Sequence, residues 1–488
     1  MSEDKHDWMD VINLVKAGEV VQAKSIIEGL LRDNPDDCNV NYAAGRYLYN
    51  ARNFSHAVEF FKKSYLSNNK GIDLVIYLSL SLSHLGTHRG SAECRDILTK
   101  LFNENPEFIT KHPLADAVLR TAARCCSEVG PMTQAHHLWK MLSERSGNAE
   151  DYFNLSEISA ILDHLDEAEA ALKKAIELDP EKYAKPAHLH TLEIIESARR
   201  EGSSHTVKKS RYPLTEAFRG DLAKLIKDQI AVEHKKSKKF IKKDTVFFTM
   251  GSCFARNISF ALTRCGYKSH HLGITEAINT TFANKSFVDW LEGTLPDPEI
   301  CERIQELMSA EDSREIVIDV IKQADVFILT LGVAPAFFDR KTGQFVMPRP
   351  TALNQRALAE KYIHRTTTVG ENVDNVIYFL SYVRKLSPHS KIIVTVSPVP
   401  LHMTFEFDSA VTADCLSKST MRLAAHEIVN NHGLKDIYYW PSFEIFRWAG
   451  SHAGPYFGTD DGAAWHVSEA AVETTVGCFI EMFKSEQE

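Results

Sequence analysis

The chain has 488 residues, 44% hydrophobic and 25% charged, with a formal net charge of -9 at pH 7. That length suits two or three domains, and the mild acidity provides no global basic field for nucleic acid. The charged segment Met1 to Asp10 lacks the apolar stretch of a signal peptide, and no apolar run reaches the ~18 residues of a membrane span, so a cytoplasmic protein is expected.

The first signal along the chain is a repeat. Ala23, Ala57, Ala92, Ala135 and Ala168 recur roughly every 34 residues, with one longer gap before Ala135. A large apolar residue follows four positions later in most of them: Ile27, Phe61, Trp139 and Leu172. Pro35 and Pro180 close two of the units, because proline cannot continue a helix's hydrogen-bond ladder. Gly45 takes the small-residue position in the first helix of the second unit. The run from Leu165 to Pro180 closely resembles the tetratricopeptide consensus. The expectation for residues 1–198 is therefore an array of about five helix pairs, the third degraded. Such arrays present a groove to a peptide or partner domain, so a protein partner is expected. The side chains alone leave equal room for an array that only supports or dimerises the second domain.

Residues 199–244 break the pattern. Ser203, Ser204 and His205 with Lys208 and Lys209 read as linker, and Leu222, Leu225, Ile226 and Ile230 mark a short amphipathic helix. Lys235, Lys236, Lys238, Lys239, Lys242 and Lys243 then crowd together. No aromatic residues interleave to stack on bases, so a solvated surface is the preferred reading and nucleic acid is not an expected partner.

From residue 245 the pattern is α/β. Apolar, strand-like runs occupy 245–250, 325–331, 391–396 and 437–440, and 267–272 is a further strand candidate. Helical patterns lie at Phe254 to Arg264, Asn372 to Leu386, Ala413 to Asn430 and Ser468 to Phe483. Continuous apolar strands alternating with helices predict a three-layer α/β sandwich with a parallel sheet of about five strands over 245–488. Sites in such sheets lie at the C-terminal strand ends, which here are Gly251-Ser252, Gly332 onward and Ser397-Pro398.

Ser252 stands between a strand end and a helix start, where it can act as nucleophile or as helix N-cap. His466, just before the last helix, is the best candidate for its base. Cys253 is a rival nucleophile, but it lies one position further on and is expected to point into helix packing. His402, after the fourth strand, is a candidate pocket residue. Lys418 either contacts an anionic substrate group or caps a helix. The nine cysteines (Cys38, Cys94, Cys125, Cys126, Cys253, Cys265, Cys301, Cys415 and Cys478) fit neither zinc spacing nor a disulfide ladder and read mostly as reduced core thiols. His426-Glu427 with His432 is not at zincin spacing, and His136-His137, His188 with His190, and His270-His271 lack further ligands at metal spacing. No metal or other cofactor is expected.

Met250-Gly251-Ser252-Cys253-Phe254-Ala255 contains the word GSCFA. Further segments follow in order: Asn279-Thr280-Thr281, Leu329-Thr330-Leu331-Gly332, Thr395 to Pro400 including Ser397, Ser417-Lys418-Ser419, Pro441 to Glu444, and His466-Val467-Ser468. On these segments the C-terminal half resembles the GSCFA family of the SGNH (GDSL-like) esterases and acyltransferases. The resemblance implies Ser252 as nucleophile, His466 as base and an aspartate that orients it. It also implies an oxyanion hole from the Ser252 N–H, Gly332 and an asparagine. Two positions depart from the pattern. Ala463 stands where the aspartate is usual, leaving Asp461, or Asp460, to fold back through Gly462, or else a dyad oriented by a carbonyl. Ala334 stands where the oxyanion asparagine is usual, leaving Asn279 as substitute. The activity implied is a serine esterase or O-acyltransferase acting on an acyl ester, glycan-linked by superfamily habit. The two departures motivate a second reading, a non-catalytic glycan- or protein-binding scaffold with a degenerate site.

Overall fold

The computed structural model describes residues 7–67, 71–201, 210, 212–213, 215–272, 279–308, 313–348, 351, 354–431 and 433–485. It divides into two units, Met1–Ser210 and Arg211–Glu488.

Small residues at helix contacts build the first unit. Its helices pair as Trp8–Ala17 with Val20–Asp33, Cys38–Asn50 with Phe54–Leu66, Ile72–His84 with His88–Glu104, Ala115–Val129 with Met132–Ser146, and Ala149–Ile161 with Leu165–Leu178. Ala23, Ala57 and Ala135 are fully buried, as are Phe61 and Trp139 four positions beyond two of them. A Cβ on Gly45 would sit 2.5 Å from the Phe61 ring, so that helix pair closes only over a glycine. Two units depart from the expected phase. In the third pair the buried stripe is Ser91, Cys94, Leu98 and Leu101, and Ala92 is half-buried. One residue rotates a helix face by about 100°, which is why the repeat looks degraded there. In the last pair Ala171 and Ala175 are buried while Ala168 and Leu172 are half-buried. The short helix Phe108–Lys111 fills the long gap before the fourth pair. Adjacent units are also pinned by polar pairs, such as the Arg120 fork on the fully buried Asp151, both bonds at 2.8 Å.

In the second unit all five expected strands form: β1 (Val246–Gly251), β2 (Lys268–His271), β3 (Val326–Leu331) and, later in the chain, β7 (Lys391–Val396) and β8 (Ile437–Tyr439). They make one parallel sheet ordered β2-β1-β3-β7-β8. Strand residues alternate between two cores. Phe248, Met250, Phe327, Leu329, Ile392 and Val394 face one, and Phe247, Val326, Ile328 and Ile393 face the other. The helices at Thr281–Glu292, Val369–Leu386 and Ala410–Asn431 contribute to the first core, and Cys253–Arg264 and Glu469–Phe483 to the second. A second, antiparallel sheet was not expected from the sequence. It comprises β4 (Pro335–Asp339), β5 (Phe345–Val346) and β6 (Tyr362–Thr366), in the order β5-β4-β6.

The presumed linker divides in two. Residues 203–205 and 208–209 lie outside the described residues. From Leu222 the chain packs on the second unit: Leu225, Ile226, Ala231 and Ile241 are buried, and Ile241 bridges to Lys484. Two lysines of the cluster are spent locally. Lys235 pairs with Asp228 at 2.7 Å, and Lys239 donates to the Met482 carbonyl.

Candidate functional site

The site begins where β1 ends. Gly251 has φ 129, and a Cβ there would lie 2.1 Å from the Thr330 carbonyl oxygen, so the β1–β3 contact admits only glycine. The helix Cys253–Arg264 starts two residues later with Ser252 as its N-cap. Ser252 is 1% exposed. Its Oγ accepts from Phe254 N at 3.3 Å and lies 3.2 Å from Thr330 Oγ1, and its N–H donates to Thr330 Oγ1 at 2.8 Å. The cap role weighed from the sequence is therefore physically present. Cys253 corrects an expectation: Phe254 and Ala255 take the helix packing, while the half-buried Cys253 lines a cavity of about 1060 Å³.

The same cavity is lined by Asn279, His402, Asp460, Asp461, Trp465 and His466. His466 Nδ1 lies 2.5 Å from Asp461 Oδ2, and Asp461 Oδ1 accepts from Ala463 N at 2.9 Å. The hydrogen bond from His466, and then that from Ala463, hold the Asp461 carboxyl below its ordinary range. Gly462, with φ 75, makes the turn that brings Asp461 back to the ring. Asp460 goes elsewhere: its Oδ2 accepts from Glu469 N at 2.7 Å, at the start of the last helix. The hydrogen bonds of Ser252 run to Thr330 and Phe254, not to His466.

Other expected residues line the cavity or support its lining from behind. Asn279 presses on Gly332, where a Cβ would meet its Oδ1 at 1.4 Å, and that buried oxygen has no hydrogen-bond partner. The Gly332 carbonyl accepts from Lys418 Nζ at 2.8 Å. Lys418 is buried, and desolvation pulls its ammonium down to about 7; Asp414 opposes the shift and Arg447 adds to it. Ala334 N donates to Ser417 Oγ at 2.8 Å, and its carbonyl accepts from Thr367 Oγ1 at 2.7 Å. Ser397 is fully buried, and its Oγ accepts from Val399 N at 3.3 Å, shaping the turn into the lining stretch Val399 to Met403. Asp414 holds that stretch through Leu401 N at 2.7 Å and pairs with Arg447 at 2.5 Å. His402 and Trp465 meet edge to face, with centroids 5.4 Å apart.

The cavity thus gathers Cys253, Asn279, His402, Asp461 and His466, while Ser252, Gly332, Ser397 and Lys418 stand behind its surface. Thr330, Thr367, Ser417 and the Asp414–Arg447 pair were missed. Only the Thr330 and Ser417 motifs carried a signal. Away from the cavity, His136, His164 and Glu167 offer ligand atoms within 4.8 Å of one another, a grouping that sequence spacing hid. Glu167 is already bonded by His136 at 2.5 Å and by Lys140 and Ser159 at 2.9 Å, so the cluster is satisfied without an ion.

Residues 246–479 match the model of the GSCFA family, and residues 149–182 match a tetratricopeptide repeat. No curated protein matches the chain. Solved structures resemble the repeat region. One is described as YrrB, a TPR protein with an unusual peptide-binding site; it is 19% identical, with 39% of this chain and 94% of that one covered and a TM-score of 0.33. Another, MamA AMB-1, is 18% identical, with 35% and 96% covered and a TM-score of 0.31. The chain therefore carries a GSCFA-family domain behind tetratricopeptide-like repeats. No described helix is long and apolar enough to cross a membrane.

Proposed function

We infer that the GSCFA-family domain at residues 246–479 is an esterase or O-acyltransferase that works on acyl esters in the cavity holding His466 and Asp461. The observation that carries this reading is the 2.5 Å contact between His466 Nδ1 and Asp461, in a cavity bounded by the first turn of the helix Cys253–Arg264. A carboxylate on Nδ1 fixes the tautomer, leaves Nε2 to accept a proton, and stabilises the imidazolium formed during attack. The helix start adds partial positive charge where an oxyanion develops. The nucleophile belongs to the β1 turn. Ser252, favoured by the resemblance, would have to turn from Thr330 to reach the cavity. Trp465 is 44% exposed, an aromatic face suited to a sugar ring, which supports a glycan-linked ester as substrate. The repeat units supply a surface for a protein partner.

One observation favours the scaffold reading. The Ser252 and Ala334 N–H groups are both engaged, by Thr330 and Ser417, so two potential oxyanion donors are spent internally. Hydrolysis of p-nitrophenyl acetate by the purified chain decides between the readings. The enzyme reading expects turnover that falls by about three to four powers of ten in His466→Ala. Turnover no faster than buffer, or unchanged in His466→Ala, would favour the scaffold.

A further inference from the structure

We propose that Cys253, not Ser252, is the nucleophile of this cavity, carrying the acyl group as a thioester while His466 and Asp461 handle the protons. The proposal rests on the acyl-ester reading above and names the atom that does its chemistry.

The geometry separates two adjacent residues. Ser252 lies behind the wall, bonded through both its backbone N–H and its Oγ to Thr330. Cys253 is on the wall, in the same cavity as the His466–Asp461 pair and Asn279. As the first residue of a 12-residue helix, Cys253 sits where the helix dipole favours a thiolate. The charged groups around it are mixed. Lys418 is close enough to interact electrostatically with Cys253, and the cavity lining sets Arg256, Arg264 and Arg303 against Asp460, Asp461 and Glu469. His466 lines the same cavity and is the candidate acceptor of the thiol proton.

The steps balance. His466 removes the Cys253 proton, and the thiolate attacks the ester carbonyl. The new C–S bond forms as the acyl–oxygen bond breaks, and the leaving alkoxide takes the proton from the His466 imidazolium. His466 then deprotonates water, or an acceptor hydroxyl, which attacks the thioester. The C–S bond breaks, and the thiolate recovers the proton from His466 as the acid or new ester leaves.

The test uses the full chain. It is incubated with p-nitrophenyl acetate, quenched in acid and mapped by peptide fragmentation. The proposal expects an acetyl group on Cys253, removed by neutral hydroxylamine and absent from Cys253→Ala. A second arm measures iodoacetamide alkylation near pH 6, with the exposed Cys265 and Cys415 as internal references. Cys253 should react at least about tenfold faster than either, and His466→Ala should remove about tenfold of that rate. Cys253→Ser, a one-atom change, checks that lost turnover is not lost folding, since its melting should match the wild type. Acetyl on Ser252, or turnover in Cys253→Ala within about threefold of wild type while His466→Ala is dead, would overturn the assignment and leave the acyl-ester reading standing. Fast, His466-dependent alkylation without ester turnover would keep Cys253 as the activated group and overturn the ester substrate. No turnover and ordinary Cys253 reactivity would overturn both.

Discussion

The two units treat reactive side chains in opposite ways. In the repeats, His136 and Glu167 bond each other, Lys140 and Ser159 complete the carboxylate, and Arg120 is forked on Asp151. Burial raises the Cys126 thiol to about 11, which makes it inert. In the second unit, His466, Asp461 and Cys253 line one cavity, while Ser252, Ser397 and Lys418 are spent on holding its loops. The lesson is that residue type does not mark a site. What marks it is whether the surrounding backbone has left the group facing a space.

The comparison can be strained from several directions. The largest effect expected is on truncation. A fragment of residues 211–488 should melt as cooperatively as the second unit does in the full chain. Starting at residue 240 instead strips the buried Leu225 and Ile226 from the core and should cost about 3–6 kcal/mol, read by urea denaturation. Trp139→Ala removes a buried ring whose Nε1 donates to Ser127 and should destabilise the repeats by about 3–5 kcal/mol. If the units are as separate as their chemistry, ester turnover should stay within about twofold of wild type. A parallel loss of turnover would show that the cavity depends on the array.

Asp460→Ala should cost about 0.5–2 kcal/mol by uncapping the last helix, with little effect on rate. Lys418→Met should show itself in the pH dependence of stability. The folded pKa of Lys418 lies near 7, below its ordinary 10.5, so between those values the unfolded chain binds a proton that the folded one does not. Wild-type stability relative to Lys418→Met should therefore rise as pH climbs from about 7 to about 10 and stay level below that. A constant difference across that range would show that Lys418 stays charged in the fold.

Much of this was legible in the sequence, for physical reasons. The three central strands, β1, β3 and β7, are buried on both faces and read as continuous apolar runs, so they stood out most clearly. The fold-back of Asp461 onto His466 was one of the alternatives the sequence left open, because Gly462 permits a turn there. The β4–β6 sheet was not legible, because its strands are short and pair across distant stretches, such as Pro335 with Thr366. The phase shift at Ser91 was hidden because Ala92 beside it looks equally small. Which of Ser252 and Cys253 meets the cavity depends on Thr330, 78 residues away, whose hydroxyl draws the serine inward. No local pattern encodes that choice.

The central claim is that Asp461 and His466 form a working base, and two neighbouring aspartates test it with one measurement. The kcat for p-nitrophenyl acetate is compared among wild type, Asp461→Asn and Asp460→Asn. The account predicts a loss of about two to four powers of ten in Asp461→Asn, because the ring loses the carboxylate that fixes its tautomer, with Asp460→Asn within about threefold of wild type. Equal rates in all three, or a wild type no faster than buffer, would contradict it.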